Sequence, residues 1–139
     1  MLRLTVPVSL ALLVALLACT NPFKAGQMSD ASVADFHRKL NQGQFHDIYV
    51  NASPDFQKAS SEKEINDLFN AIHTKLGDTV AANRTFINLS ATTSGNYVRT
   101  SYETAFARGK GEETFTWLLV NDHLTLVSYN IQSNDLIVK

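Results

Sequence analysis

Four histidines, His37, His46, His73 and His123, are the side chains of this 139-residue chain best suited to proton transfer or metal binding near neutral pH. A zinc-type site needs three or four converging imidazoles, thiolates or carboxylates, and no His-Glu-x-x-His or Cys-x-x-Cys spacing supplies them. His46-Asp47 has the composition of a base with its orienting carboxylate, but adjacent residues on a helix point apart. His37 lies on the apolar side of a helical period and reads as a partly buried, hydrogen-bonded core histidine. No serine nucleophile elbow, phosphate loop or dinucleotide motif is present. Gly109-Lys110-Gly111 is too short for one and sits between strands, where a hairpin turn is the plain reading. The residues alone therefore predict no catalytic group, no metal and no cofactor.

The elements that position these side chains follow from periodicity. Asp30 and Ser32 can supply N-cap oxygens for a first helix whose Val33, Phe36, His37 and Leu40 share one face, ending before Gly43. Phe45, Ile48 and Tyr49 continue the helical spacing briefly, up to the Asn51-Ala52-Ser53-Pro54 loop. Ser61-Glu62-Lys63-Glu64 is a capping box opening a helix with Ile65, Leu68, Phe69, Ile72 and Leu76 as its buried stripe, and Gly77 is placed to end it.

After Gly77 the period changes to two and β-branched and aromatic residues take over. Four strands are expected at roughly 83–93, 97–108, 113–120 and 123–132, joined by connections short enough to force an antiparallel meander. In the second, Arg99 and Glu103 should face water while Val98, Thr100, Tyr102 and Phe106 face the helices. In the fourth, a bulge near Ser128 would keep Leu124, Leu126, Tyr129 and Ile131 on one side. Helices followed by an antiparallel sheet give an α+β arrangement with the helices on one face of the sheet.

Composition narrows the function classes. The chain carries 12 Lys/Arg against 13 Asp/Glu, so it has no basic footprint for nucleic acid. Residues 1–18 hold one charge, Arg3, ahead of an apolar run too short to span a bilayer comfortably, which fits a secretory signal. Leu16-Leu17-Ala18-Cys19 resembles the bacterial lipobox. That resemblance implies that Cys19, the single cysteine, becomes the lipidated first residue of the mature chain, held at a membrane by several acyl chains. Thr20 after it resembles the outer-membrane class, facing the periplasm. Residues 19–29 are expected to form a tether, with the folded domain over 30–139.

The order of three helices and four long antiparallel strands resembles the cystatin-like or NTF2-like fold, and more closely a group of small uncharacterised bacterial lipoproteins of that fold. The resemblance is carried by Phe36, Leu40, Gly43, Phe45 and Ile48-Tyr49, Ser53-Pro54-Asp55-Phe56, Leu76-Gly77, Tyr102-Glu103-Thr104-Ala105-Phe106, Glu113-Thr114-Phe115 and Tyr129-Asn130-Ile131. It implies a fold and transfers no catalytic residue. Where such folds open a pocket between sheet and helices, the analogous lining here is His46, Tyr102, Trp117 and Tyr129; Glu103 is excluded by strand alternation.

The leading expectation is a non-catalytic, lipid-anchored binding or interaction module of the cell envelope. Leu118, Val120 and Val127, left on the open sheet face, form its expected contact surface with a protein partner or a second copy. The alternatives are a small-ligand pocket protein or enzyme of NTF2-like type, which needs a cavity between Tyr102, Trp117 and the helices, and an envelope inhibitor or immunity lipoprotein.

Overall fold

The computed structural model describes residues 21–138. The leader and the expected lipidation at Cys19 lie outside the described residues.

Helix α1 (Pro22–Asn41) starts nine residues earlier than the capping reading at Asp30 proposes. The Asn21 side chain accepts from the Phe23 N–H, Pro22 takes the first position, and Arg38 and Lys39 meet the carbonyl end of the dipole. Residues 22–29 are thus two helical turns rather than a tether. Their buried members are Ala25, Gly26 and Ser29, small residues that carry no apolar periodicity but let the helix backbone approach the sheet.

Two short helices follow, α2 (Phe45–Val50) and α3 (Pro54–Ala59). The expected Asn51-Ala52-Ser53-Pro54 loop is shorter than its four residues, because Ser53-Pro54 starts the second of these helices, with Ser53 accepting from the Phe56 N–H and proline at the first position. Helix α4 (Glu62–Leu76) has the expected capping box: the Glu64 N–H donates to Ser61 Oγ and the Ser61 N–H donates to the Glu64 carboxylate. It ends at Gly77, whose φ of 77° a side chain would resist.

The sheet is a meander in the order β1-β2-β3-β4, comprising β1 (Thr79–Thr92), β2 (Gly95–Phe106), β3 (Gly109–Val120) and β4 (His123–Gln132), all antiparallel. Each connection is two residues long: Thr93-Ser94, Ala107-Arg108 and Asn121-Asp122. Gly109 and Gly111 therefore belong to β3 and not to a turn. Asn121 and Asp122 both have positive φ, as a tight twisted hairpin requires. The β4 bulge falls at Val127, one residue from its expected place, and leaves Leu126 paired with Trp117 and Tyr129 paired with Phe115. A fifth helix, α5 (Asn134–Val138), follows the sheet.

Helices cover one face of the sheet. Phe36 of α1 and Phe69 of α4 meet Phe115 and Tyr129 of the sheet, with ring centroids 4.9 Å to 5.5 Å from Phe36. Phe115 also stacks on Trp117 at 5.4 Å. This aromatic block fills the centre of the helix–sheet interface, and crevices lie on either flank of α1.

Candidate functional site

Strand alternation places Glu113 on the same face as Phe115 and Trp117, and it is completely buried. Desolvating a carboxylate costs several kcal/mol unless donors surround it. Three do. The Thr104 hydroxyl donates to Oε2 at 2.5 Å and the Tyr129 hydroxyl to Oε1 at 2.7 Å, while His37 Nε2 lies 2.6 Å from Oε2. With the carboxylate accepting, the imidazole hydrogen belongs on Nε2 and a neutral ring presents the Nδ1 lone pair. Burial first, and the Glu113 charge second, push the Tyr129 phenol well above its ordinary value of 10.0, so it stays a donor.

A second polar chain lies about two turns toward the start of α1. Ser29 Oγ is 2.8 Å from Thr100 Oγ1 and 2.9 Å from the Tyr102 hydroxyl, which donates to Asp30 Oδ1 at 2.8 Å. Trp117 Nε1 donates to Thr100 at 3.3 Å. Burial, and further the bond to Asp30, push the Tyr102 phenol up to about 12.

His37 opens onto a groove of about 510 Å³ between α1 and β1. Asp30, Val33 and His37 line it from the helix, Thr79 and Arg84 from the strand, and Tyr102 from below. Nδ1 of His37 has no partner among the described residues. It is not among the fully buried unpartnered atoms, of which the described residues have one, Asn66 Oδ1, and His37 itself lines the groove. Glu113 lies behind the ring, on its Nε2 side. A neutral imidazole so placed is fixed in one tautomer and presents a proton acceptor to a partly apolar space that a small molecule can enter.

The expected pocket residues separate. His46 belongs to neither groove; it is exposed and its Nδ1 meets Glu62 at 2.5 Å, joining α2 to α4. Tyr102 lines the α1–β1 groove. Trp117 lines a different one of about 300 Å³ between α1, α2 and β4, with Phe36, Ile48 and Leu126. Tyr129 is tied to Glu113. A single chamber between Tyr102 and Trp117 does not form because Phe115 sits between them, 5.8 Å and 5.4 Å from the two rings.

On the outer sheet face Leu118 is half-buried opposite Thr125 and Val120 is 51% exposed opposite His123. Val127 occupies the bulge and is half-buried, so it does not extend that row. Arg99, Glu103, Thr114, Thr116, Ser128 and Asn130 make most of the remaining face polar.

Glu113, absent from the sequence-derived candidates, does carry a local signal: a carboxylate in phase with Phe115 and Trp117 marks a buried charge that needs partners. Its pairing with His37, from a different element, has no local signal.

No family model matches the chain, and no curated protein matches it. Among solved structures it is similar to a scytalone dehydratase-like protein from Novosphingobium aromaticivorans DSM 12444. The TM-score is 0.50 and the identity 10%, over 78% of this chain and 83% of that one. At this identity the likeness speaks for the backbone and for no individual residue: the chain has an NTF2-like α+β fold.

Proposed function

We propose that the protein is a small-molecule pocket protein of NTF2-like type, with the α1–β1 groove as its binding site and His37, positioned by Glu113, as its proton-transfer group. The observation that carries this reading is the 2.6 Å contact between a groove-lining imidazole and a fully buried carboxylate. The similar solved structure supports it at the level of fold, and its name refers to loss of water, chemistry that a positioned base serves. The reading takes the ligand-pocket expectation over the open sheet face, where the apolar surface is short.

The ring-opening of nitrobenzisoxazole is a test, because proton abstraction alone drives it and any positioned base accelerates it. The full chain should exceed the buffer rate, His37→Gln should return to it, and Glu113→Gln should fall between with a displaced pH profile. A wild-type rate no higher than that of His37→Gln would overturn the proton-transfer role.

The chain's placement is a second part of the proposal: lipid on Cys19 holds the domain at the cell envelope, in the outer membrane facing the periplasm. The Leu16-Leu17-Ala18-Cys19 pattern supports it. Among the described residues no helix is long and apolar enough to cross a membrane. Cys19→Ser should move the protein from the membrane to the soluble fraction, and globomycin should block maturation. Unchanged membrane association of the variant would refute the lipid anchor.

A further inference from the structure

The α1–β1 groove has two ends, and both are built from side chains that cross from helix to strand. At one, Asn41 Oδ1 accepts from the Thr79 N–H at 2.8 Å and from the Thr79 hydroxyl at 3.1 Å, while Asn41 Nδ2 donates to the Thr79 carbonyl at 3.3 Å. That end is closed by satisfied bonds. At the other, Arg84 reaches from β1 over α1. Its Nε lies 3.4 Å from Asp30 Oδ1, and its Nη1 and Nη2 have no hydrogen-bond partner among the described residues.

Gly26 is what lets the guanidinium lie there. A Cβ at that position would fall 1.9 Å from Nη1 and 2.7 Å from Cζ, so any side chain would displace it. The Arg84 side chain is 28% exposed, and Asp30 is occupied by Nε and by the Tyr102 hydroxyl. A planar fork with both terminal nitrogens unused, held at the rim of a groove, has the geometry that takes a carboxylate through two parallel bonds.

We infer that the groove recognises a small carboxylic acid, with Arg84 binding the carboxylate and the body of the ligand lying along Val33 and Ala34 toward His37. The fork lies over Gly26, and Gly26 and His37 are eleven residues apart on α1, so the carboxylate sits roughly 15 Å from the imidazole. The groove therefore selects a molecule whose reacting atom is remote from its acid group. Arg84 is a specificity residue in this arrangement and takes no part in proton transfer. The inference rests on the groove reading above and adds the ligand class to it.

Hydrocinnamate and its uncharged amide, hydrocinnamamide, have matched shape and differ in the carboxylate. Calorimetric titration of the full chain should show the acid binding about tenfold tighter or more than the amide, the effect of a charge-assisted bond. Arg84→Gln should bring the ratio near one and Arg84→Lys should retain part of it. Gly26→Ala, which keeps the arginine but displaces its fork, should lose it as Arg84→Gln does. His37→Gln should keep the preference for the acid. An equal affinity of the wild type for acid and amide, no binding of the acid, or an undiminished ratio in Arg84→Gln overturns the inference. Base activity on neutral nitrobenzisoxazole without acid preference defeats the carboxylate inference alone. Acid preference without base activity defeats the proton-transfer reading alone.

Discussion

His37 and Glu113, 76 residues apart in the chain, meet at 2.6 Å across the helix–sheet interface with the carboxylate wholly out of solvent. The contact joins α1 to β3 at the point where the aromatic block ends and the groove begins, so it belongs to both the stability of the fold and the chemistry proposed for it.

Removing the carboxylate tests the first of these roles. Glu113→Ala strands three donors, from His37, Thr104 and Tyr129, and should cost about 3–5 kcal/mol in urea unfolding. That is a large fraction of the total stability of a domain this size. Glu113→Gln keeps an acceptor oxygen but brings an amide donor among donors, and should cost less than Glu113→Ala while remaining destabilising. A loss below about 1 kcal/mol for Glu113→Ala would contradict the bonding described here.

The two raised phenols make a prediction at alkaline pH. A group whose folded pKa exceeds its unfolded value contributes stability that is whole below the unfolded value, 10.0, and disappears as pH rises through the folded one. Absorbance titration should show Tyr102 ionising near 12 and Tyr129 later still or only on unfolding. Stability should begin to fall above pH 10.0. Tyr102→Phe should lessen the Tyr102 share of that fall; ionisation of all four tyrosines together at their ordinary value would count against the buried placement of both.

The His46–Glu62 contact acts in a lower window. Hydrogen bonding to Glu62, then the Glu62 charge, raises the His46 imidazole above 6.5. The contribution of the pair is present in full below pH 6.5 and is lost as pH climbs through the raised value. The melting-temperature difference between wild type and His46→Gln should accordingly shrink from acid to alkaline pH. Added salt should shrink it too, since the pair is exposed. A difference that is flat in pH rules this assignment out.

Gly26→Ala separates packing from recognition. In mid-helix the change favours the helix by about 1 kcal/mol. The atom it strikes is the movable end of Arg84, so the helix and sheet need not part. Thermal unfolding should change little in either direction while the Arg84–Asp30 contact is lost, visible as a shift of the Arg84 side-chain resonance. A destabilisation above about 2 kcal/mol would mean that the backbone, not the guanidinium, has to give way.

The fold was readable because its signals are local. The Ser61–Glu64 capping box, the change of period at Gly77, the alternation of Val98, Thr100 and Tyr102, and the phase slip in β4 each depend on neighbours within a few residues. The start of α1 escaped because Ala25, Gly26 and Ser29 bury little apolar surface and leave no period, although Asn21-Pro22 carries the start signal. At the site, the fold resemblance implies both Tyr102 and His46; strand alternation also turns Tyr102 inward, whereas His46 sits on the surface. Glu113, His37 and Arg84 come from three elements, and only the folded chain brings them to one place.

Helix α1 is one rod standing between two crevices, with Phe36 and Asp35 turned to one and His37 and Val33 to the other. Its polar side chains fasten it to the sheet at three levels, Ser29 to Thr100, His37 to Glu113 and Asn41 to Thr79, so the two crevices share one wall whose position is set by bonds and not by packing alone.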